Sequence, residues 1–202
     1  MREFVVVGHD APTSAEFSLD DLPGAGRLDV LCRCLTAGLL RSHGVREDTR
    51  VQLVLADEFT VGVDGGAVRR LNPDERSTAA VVRGALERRD EAVGAMSVEP
   101  HPGVELRRRG LADTLDAVAE RAGLVALCED GTPATESAPF DRDDPPDAGF
   151  VLSDHREFTR EERDLLGEVA DRRLRLGPEP LHADQAIVVA HHLLDTRGHE
   201  QV

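Results

Sequence analysis

GFVLSD, residues 149–154, is an apolar run that ends in a hydroxyl group and a carboxylate, and similar runs flank it along the chain. LCEDG at 127–131 and LRLGP at 174–178 also pass from apolar residues into a polar or glycine-containing loop. Short apolar runs bounded by such loops predict buried strands. Because ligands of open α/β sheets bind beyond the carboxyl ends of the strands, these three loops predict a ligand site.

Strands and helices alternate outward from this region. Leucines at helical spacing predict a helix from Leu28 to about Ser42, and short apolar runs at 4–7, 51–55 and 59–63 predict strands. The alternation predicts one α/β domain over residues 1–202, with a mainly parallel sheet and helices on both faces.

Turn and cap residues refine this prediction. Asp64-Gly65-Gly66 is a hairpin signal and predicts that residues 59–63 pair with a strand at 67–71. Thr159 and Glu162 have the spacing of a capping box and predict a helix start. The proline- and acid-rich stretch from Cys128 to Gly149 predicts a long loop.

The charge of the chain is unusual. Its 202 residues contain 39 acidic and 24 basic residues, all of the latter arginine, with no lysine, tryptophan or tyrosine. The net charge of −15 would ordinarily disfavour a nucleic-acid partner. Acidity spread along a lysine-free chain also fits adaptation to high salt, where the Debye length is about 3 Å and net charge says little about partners. An acidic binding protein is the alternative.

Other features narrow the class of protein. No apolar run approaches the roughly 20 residues that span a bilayer, and no leader peptide is visible, so we expect a cytoplasmic protein without a membrane partner. The spacing of Cys32 and Cys34 suits neither zinc nor a redox pair, and we expect no metal. Walker, Rossmann and nucleophile-elbow motifs are missing.

Four short segments give the chain a family resemblance. They are Leu22-Pro23-Gly24-Ala25-Gly26-Arg27-Leu28-Asp29, Ser42-His43-Gly44-Val45-Arg46, Asn72-Pro73-Asp74-Glu75-Arg76-Ser77 and Leu174-Arg175-Leu176-Gly177-Pro178. In order and spacing they resemble the TrmY family, archaeal tRNA (pseudouridine-N1)-methyltransferases of the SPOUT class, over nearly the whole chain. The resemblance implies a parallel sheet with a C-terminal trefoil knot, here at about 124–195, and a homodimer. It also implies S-adenosylmethionine as cofactor and N1-methylation of pseudouridine 54 in the T-loop of tRNA.

The resemblance also implies which residues bind the cofactor. They come from the three loops: Leu127, Gly149, Leu152, Leu174, Arg175, Leu176 and Gly177. The family often has a cysteine in the first turn of the last helix, and the matching residue here is Ala186. A catalytic role for a thiol at that position is therefore in doubt.

Methylation at N1 also calls for a proton acceptor and for RNA contacts. Asp29 and Asp10 are the candidates for the base, although Asp29 is also placed to pair with Arg33 one helical turn later. The candidates for RNA contacts are Arg27, Arg33, Arg46 and Arg76, each of which is as well explained by a surface ion pair.

Two other functions remain open at this point. A SPOUT enzyme acting on pseudouridine of ribosomal RNA, or on a ribose 2′-hydroxyl, would share every feature described above. A non-catalytic acidic module that binds RNA or protein would share the composition.

Overall fold

The structure is a computed structural model that describes residues 1–94, 96–137, 139–140 and 147–197. The strands in these residues are β1 (Arg2–Gly8), β2 (Leu40–Arg41), β3 (Gly44–Val45), β4 (Thr49–Leu55), β5 (Phe59–Asp64), β6 (Val98–His101), β7 (Val104–Arg107), β8 (Gly123–Pro133), β9 (Ala148–Ser153) and β10 (Arg172–Arg175). The helices are α1 (Leu28–Leu39), α2 (Glu75–Leu86), α3 (Leu111–Ala119), α4 (Arg160–Val169) and α5 (Ala183–Asp195). None of the helices in these ranges is both long and apolar enough to cross a membrane.

Eight of the described strands form one mixed sheet in the order β10-β8-β9-β1-β4-β5-β7-β6. The strands from β10 to β4 are parallel to one another, but β5, β7 and β6 continue the sheet by antiparallel pairing. The prediction of a mainly parallel sheet is therefore wrong for the β5–β6 half. The reason is the turn at 56–58 between β4 and β5, which is too short for the crossover that parallel strands need.

The predicted hairpin at Asp64 is also wrong, because β5 pairs with the preceding strand β4. The backbone groups around Asp64-Gly65-Gly66 are used within the turn. Gly65 N–H donates to the carbonyl of Thr49, and Val68 N–H donates to that of Asp64. Residues 67–71 consequently form a loop and not a strand.

Helices cover both faces of the sheet, as predicted. On one face α1, α2 and α5 form a hydrophobic core that includes Leu35, Val82 and Ile187. On the other, which we call the α3 face, α3 and α4 contribute Leu115 and Leu166 to a second core. Each core removes apolar surface from water, the main favourable term in folding.

The local predictions for two helices hold in most details. α1 begins at Leu28 as predicted but ends at Leu39, where the chain turns into β2. The capping box of α4 is confirmed: Glu162 N–H donates to Thr159 Oγ1 at 3.2 Å, and Thr159 N–H donates to the Glu162 carboxylate at 2.7 Å. The predicted loop after Cys128 lies partly outside the described residues, and its first part continues β8.

The parallel strands all end at the same edge, which we call the carboxyl edge. Val7 of β1 is in register with Ser153 of β9 and with Val54 of β4. The chain therefore leaves β1 at His9 and β9 at Asp154 side by side, although these residues are 145 positions apart. This edge is where α/β sheets bind ligands.

Candidate active site

A groove with a volume of about 1050 Å³ opens at the carboxyl edge, between the ends of β8, β9 and β10 and the first turn of α5. Apolar side chains line it from all four elements: Leu127, Leu152, Leu174, Leu176 and Ala186. Charged side chains from the loops after β8 and β9 add a polar rim. The groove thus combines an apolar floor with many charged groups at its rim, and a concave site with both kinds of group can bind and orient a small molecule.

The structure brings six of the seven predicted cofactor residues together along this groove: Leu127, Leu152, Leu174, Arg175, Leu176 and Gly177. Gly149 is not among the lining residues. It lies near the start of β9, paired with Leu124 of β8 and Glu3 of β1, away from the carboxyl edge. A Cβ atom at Gly149 would come within 2.5 Å of Val118 Cγ1, so this glycine lets α3 pack closely on the sheet.

Two glycines near the groove have different surroundings. A Cβ atom at Gly177 would find only the carbonyl oxygen of Glu179, at 3.9 Å, so the space beside it is open. A Cβ at Gly131 would lie 2.5 Å from the carbonyl carbon of Leu174, because β8 and β10 approach closely there. Gly177 is also not one of the described glycines with positive φ, so no strained turn requires it.

The sequence predicted a ligand loop after GFVLSD but not the groove wall that the residues beyond Asp154 form. Residues 153–158 line the groove together with Arg163 and Leu166 of α4. The available signals were the polar end of GFVLSD and the capping box at Thr159, since a strand and a helix start six residues apart leave only a short loop between them. That loop lies at the carboxyl edge beside the end of β1.

His9 connects the two ends of this loop. Its Nδ1 donates to Asp154 Oδ1 at 3.0 Å, and its Nε2 donates to Glu162 Oε2 at 3.0 Å. Asp154 also accepts the backbone N–H groups of His9 and Arg156, each at 2.9 Å. The groove wall is therefore fastened at its beginning by Asp154 and at its end by Glu162.

The arrangement requires a charged imidazole. An ionised carboxylate can only accept hydrogen bonds, so a ring between two of them uses both nitrogens as donors, which is the imidazolium form. Burial disfavours that charge, but the hydrogen bonds to Asp154 and Glu162 outweigh it and raise the pKa of His9 above its ordinary value. The Asp154 side chain is only 2% exposed, so His9 is a close cationic partner for a buried carboxylate.

The two candidate bases lie in different surroundings. Asp10 follows His9 at the end of β1, and its carboxylate pairs with Arg156, which lines the groove. Asp29 is buried in α1, where it accepts hydrogen bonds from Arg27 at 3.0 and 3.1 Å and from Arg33 at 3.0 Å. Burial alone would raise the pKa of Asp29, but these two arginines lower it, which makes this carboxylate a weaker base.

All four arginines predicted to contact RNA are held in ion pairs within the chain. Arg27 pairs with Asp29, and Arg33 pairs with the carboxylates of three residues, Asp29, Glu75 and Asp184. Arg76 pairs with Asp20. Arg46 pairs with Asp195 at the end of α5, about 18 Å of helix from the groove.

The fold and the groove define an α/β protein with a candidate small-molecule site at the carboxyl edge of its sheet. Comparison with known sequences is more specific. The chain belongs to the family described as "Putative SAM-dependent RNA methyltransferase", which it matches over residues 1–199. The family thus names S-adenosylmethionine as its cofactor and RNA as its substrate.

Individual relatives agree with this family. The chain is 58% identical, over the full length of both chains, to a Haloarcula marismortui protein named tRNA (pseudouridine(54)-N(1))-methyltransferase. It is 46% identical to a Methanopyrus kandleri protein of the same name, covering 98% of this chain and 94% of the relative. Among solved structures it is similar to Archaeoglobus fulgidus Nep1 bound to S-adenosylhomocysteine, with a TM-score of 0.64 at 15% identity over 96% and 97% of the two chains. At that identity the likeness shows a shared fold.

The residues at the groove fit S-adenosylmethionine. The leucines would supply an apolar surface for the adenine ring, and rim carboxylates such as Glu129 would be acceptors for ribose hydroxyl groups. The Oγ atom of Ser153, a lining residue, is buried and has no hydrogen-bond partner in the described chain. A buried hydroxyl without a partner is uncommon and leaves a polar group for a ligand.

Substitution of Gly177 tests the groove as the cofactor site. Because the space beside Gly177 is open, we expect Gly177→Val to keep the free energy of unfolding within about 0.5 kcal/mol. The added side chain should lower the affinity for S-adenosylhomocysteine by about tenfold or more, measured by calorimetry. Gly131→Val is the contrasting variant, since it should destabilise the fold by about 1–3 kcal/mol. Unchanged affinity in Gly177→Val would remove this segment from the site.

The hydrogen bonds from the His9 ring to Asp154 and Glu162, which we call the His9 clamp, predict a pH dependence. The folded pKa of His9 is raised, so its stabilising contribution is complete below the unfolded value of about 6.5 and is lost as the pH rises through the folded value. Affinity for S-adenosylhomocysteine should weaken in the wild type as the pH rises from about 6.5 through the raised pKa of His9. His9→Gln should bind weakly at every pH and lose about 2 kcal/mol of stability. His43→Gln, in an exposed turn, is the control; a wild-type pH profile shared by His9→Gln would refute the clamp.

Proposed function

We propose that this protein transfers the methyl group of S-adenosylmethionine to N1 of pseudouridine 54 in tRNA. The observation that carries the proposal is the groove at the carboxyl edge, lined by six of the seven residues that the family resemblance assigned to the cofactor. The shared name of relatives at 58% and 46% identity supports the substrate.

When bound, S-adenosylmethionine supplies an electrophilic methyl group. The residues of the chain orient it and exclude water. Leu127, Leu152 and Leu174 form an apolar floor, and the backbone at Gly177 leaves room for close approach. Alignment of the reacting atoms supplies much of the rate in such transfers. The target base has to leave its stack to reach the groove.

Asp10 is our candidate for the group that accepts the N1 proton, a role worth about 10²–10⁴-fold in rate. It lies at the end of β1, and its partner Arg156 lines the groove. Asp29 is the weaker candidate, because Arg27 and Arg33 already occupy its oxygens and lower its pKa. Asp29 more simply holds those two arginines in place.

We also propose the C-terminal knot that the family resemblance implies. Ala134 and Phe140, from the connection between β8 and β9, belong to the same hydrophobic core as Ile187 of α5. The connection and the last helix therefore share one face of the sheet, while α4 crosses on the other. That arrangement supports threading of the C-terminal segment past the connection, and a crystal structure tracing residues 124–195 would test it.

Analysis of the methylated product tests the function. In molar salt, the protein should methylate a tRNA transcript carrying pseudouridine at position 54, with the label on N1 by mass spectrometry, and should leave the uridine transcript unmodified. Asp10→Asn should slow this reaction about 100-fold without changing cofactor affinity, whereas Asp29→Asn should not slow it.

Other outcomes would favour the alternative functions. Label on ribose, or label only on ribosomal RNA, would favour the other enzyme functions. A protein that neither binds the cofactor nor methylates any of these RNAs would favour a non-catalytic binding module. Loss of activity in dilute salt would support our proposal that the acidic composition is an adaptation to high salt.

The proposed homodimer has a candidate surface on α1 and α5. Ala37, Leu40, Pro73 and Val189 line a shallow cavity there together with Val188, which is 54% exposed. Sedimentation in molar salt should show twice the 21.9 kDa chain mass. Val188→Glu should yield monomers because it buries a charge in the interface. Val93→Glu, at an exposed valine elsewhere, should not; a monomeric wild type would exclude the dimer.

A further inference from the structure

The half of the sheet that lies beyond β1 carries a row of polar side chains on the α3 face. α3 and α4 pack chiefly over β1, β8 and β9, and α3 also covers Val54 of β4 and Thr60 of β5. Beyond them the side chains on this face are half-buried: Arg50, Asp64, Glu105 and Arg107. We call this region the polar face; its residues are Arg50, Gln52, Asp64, Glu105, Arg107 and Arg109, with Glu3 and Arg121 at its border.

Every carboxylate of the polar face already has an arginine partner. Arg50 pairs with Asp64 at 2.5 Å, and Arg107 pairs with Glu105 at 3.2 Å. Glu3, which is almost fully buried, accepts hydrogen bonds from Arg121 at 2.7 and 3.0 Å and from Gln52 at 2.9 Å. The three acids are thus matched by three of the four arginines.

Arg109 is the fourth arginine and has no such partner. No carboxylate in the described part of the chain pairs with it, and its buried Nε atom has no hydrogen-bond partner there. Burial lowers the pKa of Arg109, the neighbouring charges of Arg107 and Arg121 lower it further, and the smaller effect of Glu105 and Glu3 offsets only part of this. A half-buried cation beside two like charges opposes folding, and an anion on this face would relieve that repulsion.

The position of Arg109 relates the polar face to the groove. Arg107, Thr60, Val54, Val7 and Ser153 form one row across five strands. Ser153 lines the groove. Four strand spacings separate the ends of the row by about 19 Å, a distance that about six stacked nucleotides cover. The three middle residues of this row are buried, with Thr60 hydrogen-bonded to Thr114 of α3, so an RNA that reaches both places has to follow the carboxyl edge. Arg109 lies toward that edge, two residues beyond Arg107.

We propose that Arg109 binds a phosphate group of the substrate RNA while the target nucleotide occupies the groove. This inference rests on the proposed function, because it takes the substrate to be RNA. The charges favour a phosphate: Arg109 is a cation without a counter-ion, and its guanidinium group makes paired hydrogen bonds to phosphate oxygens. The four arginines predicted from the sequence are already engaged by carboxylates.

The test compares two adjacent arginines. Arg108 lies over the ring of Phe59 and pairs with Glu58, so Arg108→Gln removes the same charge from a neighbouring position that is already neutralised. We expect Arg109→Gln to weaken binding of the pseudouridine-containing tRNA transcript about tenfold and to reduce the slope of log Kd against log salt by about one. Cofactor affinity and kcat at saturating RNA should be unchanged, and the melting temperature should not fall. Arg108→Gln should leave RNA affinity and its salt slope as in the wild type.

Three results would overturn the inference. Equal weakening in both variants would indicate general electrostatics, and unchanged RNA affinity in Arg109→Gln would remove the contact. A lower melting temperature with unchanged RNA affinity would make Arg109 a structural residue. If the wild type methylates RNA normally in any of these cases, only this inference fails; if it binds no RNA, the proposed function fails as well.

Chemical protection provides a measurement on the unsubstituted protein. An arginine-specific dicarbonyl reagent should modify Arg109 in the free protein, and bound tRNA should protect it, as read by mass spectrometry of peptides. Arg83 on α2 pairs with its exposed helical neighbour Glu87 and should stay reactive in both states. Equal modification of Arg109 with and without tRNA would contradict the proposal.

Discussion

The parallel pairing of β9 with β1 is the constraint on which the site depends. Val7 is in register with Ser153, and Asp154 N–H donates to the carbonyl of Val7 at 3.0 Å. β1 is buried on both faces, with Phe4 in one core and Val5 in the other. A slip of one residue would exchange the side chains of the two cores, so the register is strongly specified. Residues 8–10 and 153–156 consequently meet at the carboxyl edge.

At this edge the imidazolium ring of His9 lies between the carboxylates of Asp154 and Glu162. These contacts join the ends of β1 and β9 to the start of α4. Glu162 Oε2 accepts both the N–H group of Thr159, which caps α4, and the His9 ring. Asp154 ends β9 and holds the other nitrogen of His9. The start of a helix, the end of a strand and the groove wall between them are therefore joined by the same imidazolium ring. A capping residue, which sequence patterns identify only as a helix start, here also helps to shape the groove.

The sequence predicted the parts of the fold that follow from hydrophobic periodicity, and it failed where backbone geometry has no compositional signal. The β4–β5 turn places Ala56 and Asp57 at φ of 45° and 54°, without glycine or asparagine, so nothing in its residues indicated a hairpin. Leu111 N–H donates to Asp57 Oδ1 and helps to hold that turn, a contact across 54 residues. The prediction that Gly149 lines the cofactor site differs from the structure for a related reason. A glycine that makes room for a ligand and one that makes room for a helix look alike in a sequence. The groove itself was predictable because strand ends in a parallel sheet share an edge.

Charge is the property that the sequence reports least completely. An arginine with a carboxylate on its guanidinium group is not available to a phosphate, and only the tertiary structure shows which arginines are so engaged. In concentrated salt the repulsion between an acidic chain and RNA is screened within about 3 Å, so recognition depends on groups in direct contact. The net charge of −15 then matters less than the short set of guanidinium groups that the fold leaves unpaired. In the described chain Arg109 is such a group at the carboxyl edge, whereas Arg27, Arg33 and Arg76 are occupied by their own protein. If our proposal for Arg109 holds, an acidic protein keeps an RNA contact through a cation that the fold leaves without a counter-ion.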